Sequence, residues 1–167
     1  YGTMRRPFGG FAVMYNNGPV SYSARVMKST PLSTGEAELD AAAKAAKATN
    51  AMRTVLEDQG RTVSGATALL IDSSAAQSII EKPGATARTA YFDRAVWKIK
   101  EYYMTCVIAP TLIITELMVA DLYTKALEKS TFFLFRAYLM NLPAGREHGL
   151  HGRSVRVFNA VIKRLGL

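Results

Sequence analysis

Residues 33–60 constrain the fold more than any other stretch of the chain. Ser33 is a good helix N-cap, and Glu36 three residues later completes a capping box. An alanine-rich run then continues to Asp58 and is stopped by Gly60, which predicts one long helix. Alanine side chains are short, so a helix this rich in them lets a neighbouring backbone approach closely, and a sheet is the partner that fits. The other elements must be arranged around a long helix lying on a sheet.

Ahead of that helix, residues 10–15 and 20–26 read as two strands joined at Asn16-Asn17-Gly18-Pro19, with Asn-Gly supplying the positive φ angles of a tight hairpin. Pro31 closes the extended part. After the helix, residues 66–72 form a buried strand, and Ser73 caps a short helix that Pro83-Gly84 ends. A further helix is predicted over residues 93–103. Residues 106–114 are rich in β-branched side chains and read as a strand, which Pro110 confines to a sheet edge or a bulge. Residues 120–127 and 132–142 are expected to be helical. A loop over residues 145–152 then leads to a basic amphipathic helix over residues 154–165, which sets Val157, Val161 and Ile162 against Arg153, Arg156, Lys163 and Arg164. This order of strands and helices implies an α/β fold with a mixed sheet.

The chain has 167 residues, enough for one domain with a core and an extension. Its net charge of +8 and isoelectric point near 9.7 favour a polyanionic partner such as RNA, DNA or an anionic membrane surface. Cys106 is the only cysteine, which excludes an internal disulfide and a cysteine-based zinc site. His148 and His151 are the only histidines, and that pair reads as a surface feature. No apolar run is long enough to span a bilayer, because Pro110, Thr115 and Glu116 interrupt the closest candidate. No secretory signal pattern opens the sequence. Tyr1 is not an initiator methionine, so a processed product or a fragment is expected.

Three islands carry the residues of chemical interest. They are Leu32-Ser33-Thr34-Gly35-Glu36-Ala37-Glu38-Leu39, Ile71-Asp72-Ser73-Ser74-Ala75-Ala76 and Val119-Ala120-Asp121-Leu122-Tyr123-Thr124-Lys125. They put Glu38, Asp72 and Asp121 at starts of predicted helices or ends of predicted strands, an arrangement that nucleases use to hold divalent metals. Magnesium requires hard oxygen ligands, and in two-metal hydrolysis the ions activate the attacking water and stabilise the leaving oxygen. Taken singly, each residue has a plainer reading. A glutamate near a helix start compensates the helix dipole, and Asp72 and Asp121 could cap the helices behind them.

The order and spacing of the islands resemble the RNase H domain of copia-type retrotransposon polyproteins. Arg5-Arg6 followed by Gly10 is similar to the family's Arg-Arg-Ser-Thr-Ser-Gly, and Gly18-Pro19-Val20-Ser21-Tyr22-Ser23 to its Gly-X-Val-Ser-Trp-Ser strand. Leu32 to Leu39 resembles Leu-Ser-Thr-X-Glu-Ala-Glu-Tyr, and Asp72-Ser73-Ser74-Ala75-Ala76 resembles Asp-Asn-X-Ser-Ala. Pro83, Arg88-Thr89 and Asp93 follow at the family's spacing. Thr115-Glu116 and Ala120-Asp121-Leu122-Tyr123-Thr124-Lys125 match Thr-Glu-X-X-X-Ala-Asp-X-X-Thr-Lys. The resemblance extends from Arg5 to Leu127. It implies an RNase H-like mixed sheet flanked by helices, with Glu38, Asp72 and Asp121 as metal-ligating catalytic carboxylates and Mg²⁺ as cofactor if the domain is active. Glu36 is better explained by the capping box.

The chain also departs from the family pattern. The family's first strand carries a further catalytic Asp, and only four residues precede Arg5 here. Two-metal chemistry should fail without that Asp, and the sheet would have open edges unless another chain supplies the strand or the sheet rearranges. The family's Lys-His after Arg-Thr is Ala90-Tyr91, and Leu117-Met118-Val119 replaces residues that are usually polar, which suggests burial of that loop against something else.

Residues 1–128 are therefore expected to form a truncated RNase H-like domain, 129–143 an apolar helix packed on it, and 144–167 a basic extension. The expected function is that of a degenerate, non-catalytic domain acting as a structural and RNA-contacting part of a large ribonucleoprotein, for which an organellar (mitochondrial) ribosome is one home. Arg5, Arg6, Arg153, Arg156, Lys163 and Arg164 would be its nucleic-acid contacts, and neighbouring protein chains its other partners. The alternatives are an active Mg²⁺-dependent ribonuclease H acting on RNA–DNA hybrids, and a protein-interaction subunit using Phe132, Phe133 and Phe135.

Overall fold

Asn16 and Asn17 both take left-handed backbone conformations, at φ 49° and 63°, and between them reverse the chain. Positive φ at both central residues matches the right-handed twist of the strands on either side, and asparagine tolerates it. The hairpin joins β1 (Phe8–Tyr15) to β2 (Gly18–Val26), with Tyr15 opposite Gly18. The turn is thus Asn-Asn instead of the expected Asn-Gly, and Gly18 is the first residue of β2. The register shifts between Val13 and Met14, leaving Val20 as an extra residue on β2 next to Pro19.

In this computed structural model residues 8–27, 34–84, 93–142 and 160 are described. The long helix is α1 (Thr34–Asp58). Leu39, Ala42, Ala45, Ala46, Thr49 and Leu56 form its buried stripe at helical spacing. Gly60 ends it at φ +74°. Arg61 N–H donates to the Leu56 carbonyl at 2.9 Å and Gly60 N–H to that of Glu57 at 2.8 Å, the paired bonds of a glycine C-cap. The expected Ser33 cap lies outside the described residues.

Strand β3 (Thr67–Ile71) pairs in parallel with β4 (Ile108–Leu112). Thr67 N–H donates to the Val107 carbonyl at 3.0 Å and Ile113 N–H to that of Ile71 at 2.8 Å, which fixes the register. Residues 67, 69 and 71 therefore turn their backbone groups toward β4, while Ala68 and Leu70 turn theirs to the opposite edge. The same register aims the nitrogen of Pro110 away from β3, so β4 is an edge strand, as the proline requires. Ser73 caps α2 (Ser74–Glu81), its Oγ accepting from Ala76 N–H at 3.2 Å. Helix α3 (Asp93–Met104) runs between α2 and β4. The main core gathers Leu39, Ala42, Ala45 and Ala46 of α1, Leu69 and Ile71 of β3, Ala76 and Ile80 of α2, Val96, Ile99 and Tyr102 of α3, and Ile108 of β4, with Phe11 of β1 packed against them.

The architecture is mixed α/β, and the strands form two sheets where a single mixed sheet was expected. One is the antiparallel pair β1–β2, the other the parallel pair β3–β4. Helix α1 packs on both β1 and β3, and no described strand bridges the two pairs. Among the described residues neither pair has a further strand against its outer edges.

The helix expected over residues 120–127 is absent. Its place is taken by two 3-10 segments, Thr115–Leu117 and Val119–Tyr123. The backbone is wound by short-range bonds such as Asp121 N–H to the Met118 carbonyl at 3.0 Å and Thr124 N–H to that of Asp121 at 3.0 Å. The tighter winding helps to turn Leu117, Val119 and Leu122 onto Phe135 of α4 (Lys129–Leu139), which is only 1% exposed. Leu117 and Val119 of the apolar loop are half-buried against Phe135 of this chain's own α4, and Phe135 is unavailable to a protein partner. Among the described residues no helix is long and apolar enough to cross a membrane.

Candidate carboxylate site

Three elements bring the candidate acids together. Asp72 is the first residue after β3 and directly precedes the Ser73 cap of α2. Glu38 lies near the start of α1, beside the buried Leu39 that shares a core with Ile71. Asp121 is a buried residue of the second 3-10 segment. Both Asp72 and Glu38 are half-buried.

The common point is the ammonium of Lys125. Its Nζ donates to Asp121 Oδ2 at 2.9 Å, with the aspartate side chain 13% exposed and the lysine side chain 53% exposed. The pKa of Lys125 is raised above the ordinary lysine value. The hydrogen bond to Asp121 is the largest cause; partial burial opposes it, and the charges of Asp121, Asp72 and Glu38 add to it. All three acids therefore act on one cation, and that cation belongs to the chain. The backbone supports the pair, since Lys125 N–H also donates to the Asp121 carbonyl at 2.9 Å.

Gly10 of β1 makes the approach of the Asp121 segment feasible. A methyl group at Gly10 would lie 2.8 Å from Tyr123 Cβ and 2.9 Å from Thr124 Cγ2. Tyr123 also stacks on Tyr22 of β2, ring centroids 5.9 Å apart and planes within 8°. The phenol of Tyr123 is held above the usual tyrosine value, chiefly by burial and then by Tyr22. The segment bearing Asp121 is thus fixed by β1–β2 on one side and by Phe135 on the other.

Magnesium needs several oxygen ligands at about 2.0–2.1 Å in near-octahedral order. Among the described residues no three of Asp, Glu, His or Cys stand close enough to hold one metal ion. Asp121, the most buried of the three acids, is already bonded to an ammonium. The donor set as folded does not fit the metal that the family resemblance implies. What it does form is an ion pair flanked by two further carboxylates.

The structure thus sets Glu38, Asp72 and Asp121 within electrostatic reach of Lys125, with Asp121 hydrogen-bonded to it. Arg5, Arg6, Arg153, Arg156, Lys163 and Arg164 lie outside the described residues, as do His148 and His151. Glu36 occupies the first turn of α1 as expected. Lys125 entered the sequence analysis only as the last residue of its motif, with no role, although its spacing of four from Asp121 is an ordinary signal for an ion pair. The Tyr22–Tyr123 stack was passed over as well, since no local pattern announces it. No protein-family model, curated protein or solved structure matched the chain.

Proposed function

We propose that this chain is a degenerate, non-catalytic RNase H-like domain of the copia type, serving as a structural and RNA-contacting component of a large ribonucleoprotein such as an organellar (mitochondrial) ribosome. The observation that carries the reading is that three separate elements set Glu38, Asp72 and Asp121 within electrostatic reach of Lys125, Asp121 by a direct hydrogen bond. Convergence of acids from three separate elements supports descent from a carboxylate site. The departures from the family pattern at Ala90-Tyr91 and Leu117-Met118-Val119 support loss of the chemistry. The net charge of +8 supports a polyanionic partner. Among the described residues the outer edges of β1 and β3 carry no strand, which supports a neighbouring protein chain as well, since an edge with free backbone groups favours an added strand.

The decisive test is incubation of the chain with an RNA–DNA hybrid and Mg²⁺, together with a salt titration of RNA binding. The reading expects no cleavage, and RNA affinity that falls linearly with salt on logarithmic axes. Robust cleavage that disappears in Asp72→Asn would overturn it in favour of an active ribonuclease H, the alternative that retention of all three acids supports. Absence of RNA binding at low salt would leave a protein-interaction subunit.

A further inference from the structure

We infer that the face of the β1–β2 hairpin turned away from the core is a stacking surface for unpaired bases of single-stranded RNA, with Phe8 and Tyr22 as its rings. The inference rests on the RNA-contacting reading above and names the surface and the form of RNA involved.

Cross-strand partners project from the same face of a sheet, and successive residues alternate between faces. Phe8 pairs with Val26, Gly10 with Ala24 and Ala12 with Tyr22, so these residues share one face. Phe11 takes the other face and packs on the main core. The shared face is covered at Gly10, where Tyr123 and Thr124 approach. Elsewhere it is open, with Phe8 55%, Tyr22 66% and Val26 49% exposed. Phe8 and Tyr22 are the two most exposed aromatic residues among those described. Tyr22 lies four residues from Val26, the partner of Phe8, which separates the rings by about 14 Å of strand. Tyr22 already stacks on Tyr123 with planes within 8°, and a base can continue that stack on its open side. Rings held in solvent on a sheet stack unpaired bases, whereas the bases of a duplex already stack on one another.

The charge around the hairpin fits phosphates. Residues 1–35 contain Arg5, Arg6, Arg25 and Lys28 and no acid, Glu36 being the first. Each of these cations lies within three residues in sequence of Phe8 or Val26, the pair that closes the end of the hairpin opposite its turn. Trp97 of α3 offers the contrast. It is 50% exposed, but Asp93 and Glu101 accompany Arg94 and Lys98 on its helix, and Lys98 is bonded to Glu101 at 2.8 Å.

The test titrates a fluorescently labelled single-stranded RNA of about 12 nucleotides with the full 167-residue chain and reads affinity by anisotropy across a salt series. Phe8→Ala and Tyr22→Ala should each weaken binding about 5-fold or more, with the salt slope unchanged because neither ring carries charge. Tyr22→Phe, which keeps the ring, should bind as the wild type does, and so should Trp97→Ala. The ring losses should leave affinity for a duplex RNA of the same length unchanged, since its bases are not free to stack. Circular dichroism melts confirm that each variant is folded at the assay temperature. If Tyr22→Ala fails to fold, Phe8→Ala decides. Wild-type affinity in either folded ring variant, or an equal loss in Trp97→Ala or on the duplex, would overturn the inference and leave the RNA-contacting reading in place. Absence of RNA binding by the wild type at low salt would refute that reading and the inference with it.

Discussion

Gly10 and Gly9 are neighbours in β1 with opposite expected responses to the same substitution. A Cβ at Gly10 would sit 2.8 Å from Tyr123 Cβ, 2.9 Å from Thr124 Cγ2 and 3.2 Å from the Ser23 carbonyl oxygen. Tyr123 Cβ is fixed to its backbone, so Gly10→Ala can be relieved only by moving the 3-10 segment or the strand. Overpacking of this kind costs about 1–3 kcal/mol, and the reduced entropy of the unfolded chain returns about 0.4–1 kcal/mol. A clash with a backbone-anchored atom belongs in the upper part of that range, so the net loss is roughly 1–2.6 kcal/mol, which at this chain length lowers the melting temperature by about 2–10 °C. A Cβ at Gly9 meets only Met27 Cγ at 3.7 Å, an ordinary contact. Gly9→Ala should therefore melt at or slightly above the wild-type temperature. Thermal unfolding followed by circular dichroism separates the two. If Gly10→Ala melts within about 1 °C of the wild type, or Gly9→Ala falls as far, the close approach of β1 to the Asp121 segment is wrong.

Two further outcomes follow from buried polar groups. Lys100 is 4% exposed, and its Nζ donates to the Lys82 carbonyl at 2.8 Å and to that of Gly84. Lys100→Met would remove the donor to both acceptors beyond the α2 C-terminus, at a cost of about 2–4 kcal/mol allowing for the lysine's own desolvation; urea unfolding reads the loss, and an unchanged midpoint contradicts the contact. For Tyr123 the folded pKa is raised above the unfolded value, so stability is unaffected below that value and declines as pH rises through about 10 and beyond. Melting temperatures between about pH 9 and 11 should fall more steeply for the wild type than for Tyr123→Phe, and parallel curves would refute the burial of that phenol.

The regular elements were legible wherever a local signal sufficed. The Ala-rich stripe and Gly60 bounded α1 at one end, Ser73 marked the start of α2, and Pro110 placed β4 at an edge. The reading failed where tertiary contacts decide. Nothing local in Val119-Ala120-Asp121-Leu122-Tyr123 favours 3-10 winding over an α-helix; packing of Leu117, Val119 and Leu122 on Phe135 accompanies it. The turn went to Asn16-Asn17 because the strand register sets which pair must reverse the chain, and two asparagines accept the strain that Gly18 would also have accepted. The acids and Lys125 were legible as motif residues, but the ion pair between Asp121 and Lys125 depends on how the segment winds, which the motif does not state.

Convergence of the three acids follows from the parallel pairing of β3 and β4. Two parallel strands release their chains at the same end of the sheet, and groups that act together collect outside those carboxyl ends. Here Ile113 N–H, donating to the Ile71 carbonyl, is the last bond of the ladder. Asp72 leaves β3 beside that bond, and the stretch leaving β4 winds into the segment that carries Asp121 and Lys125. Glu38 joins them because α1 begins near this end and acts on the same ammonium. A shared topology would thus keep the acids together whether or not they work, so their clustering alone cannot separate an active site from a retired one. Cleavage of an RNA–DNA hybrid can, because only a working site turns clustered carboxylates and Mg²⁺ into a broken phosphodiester.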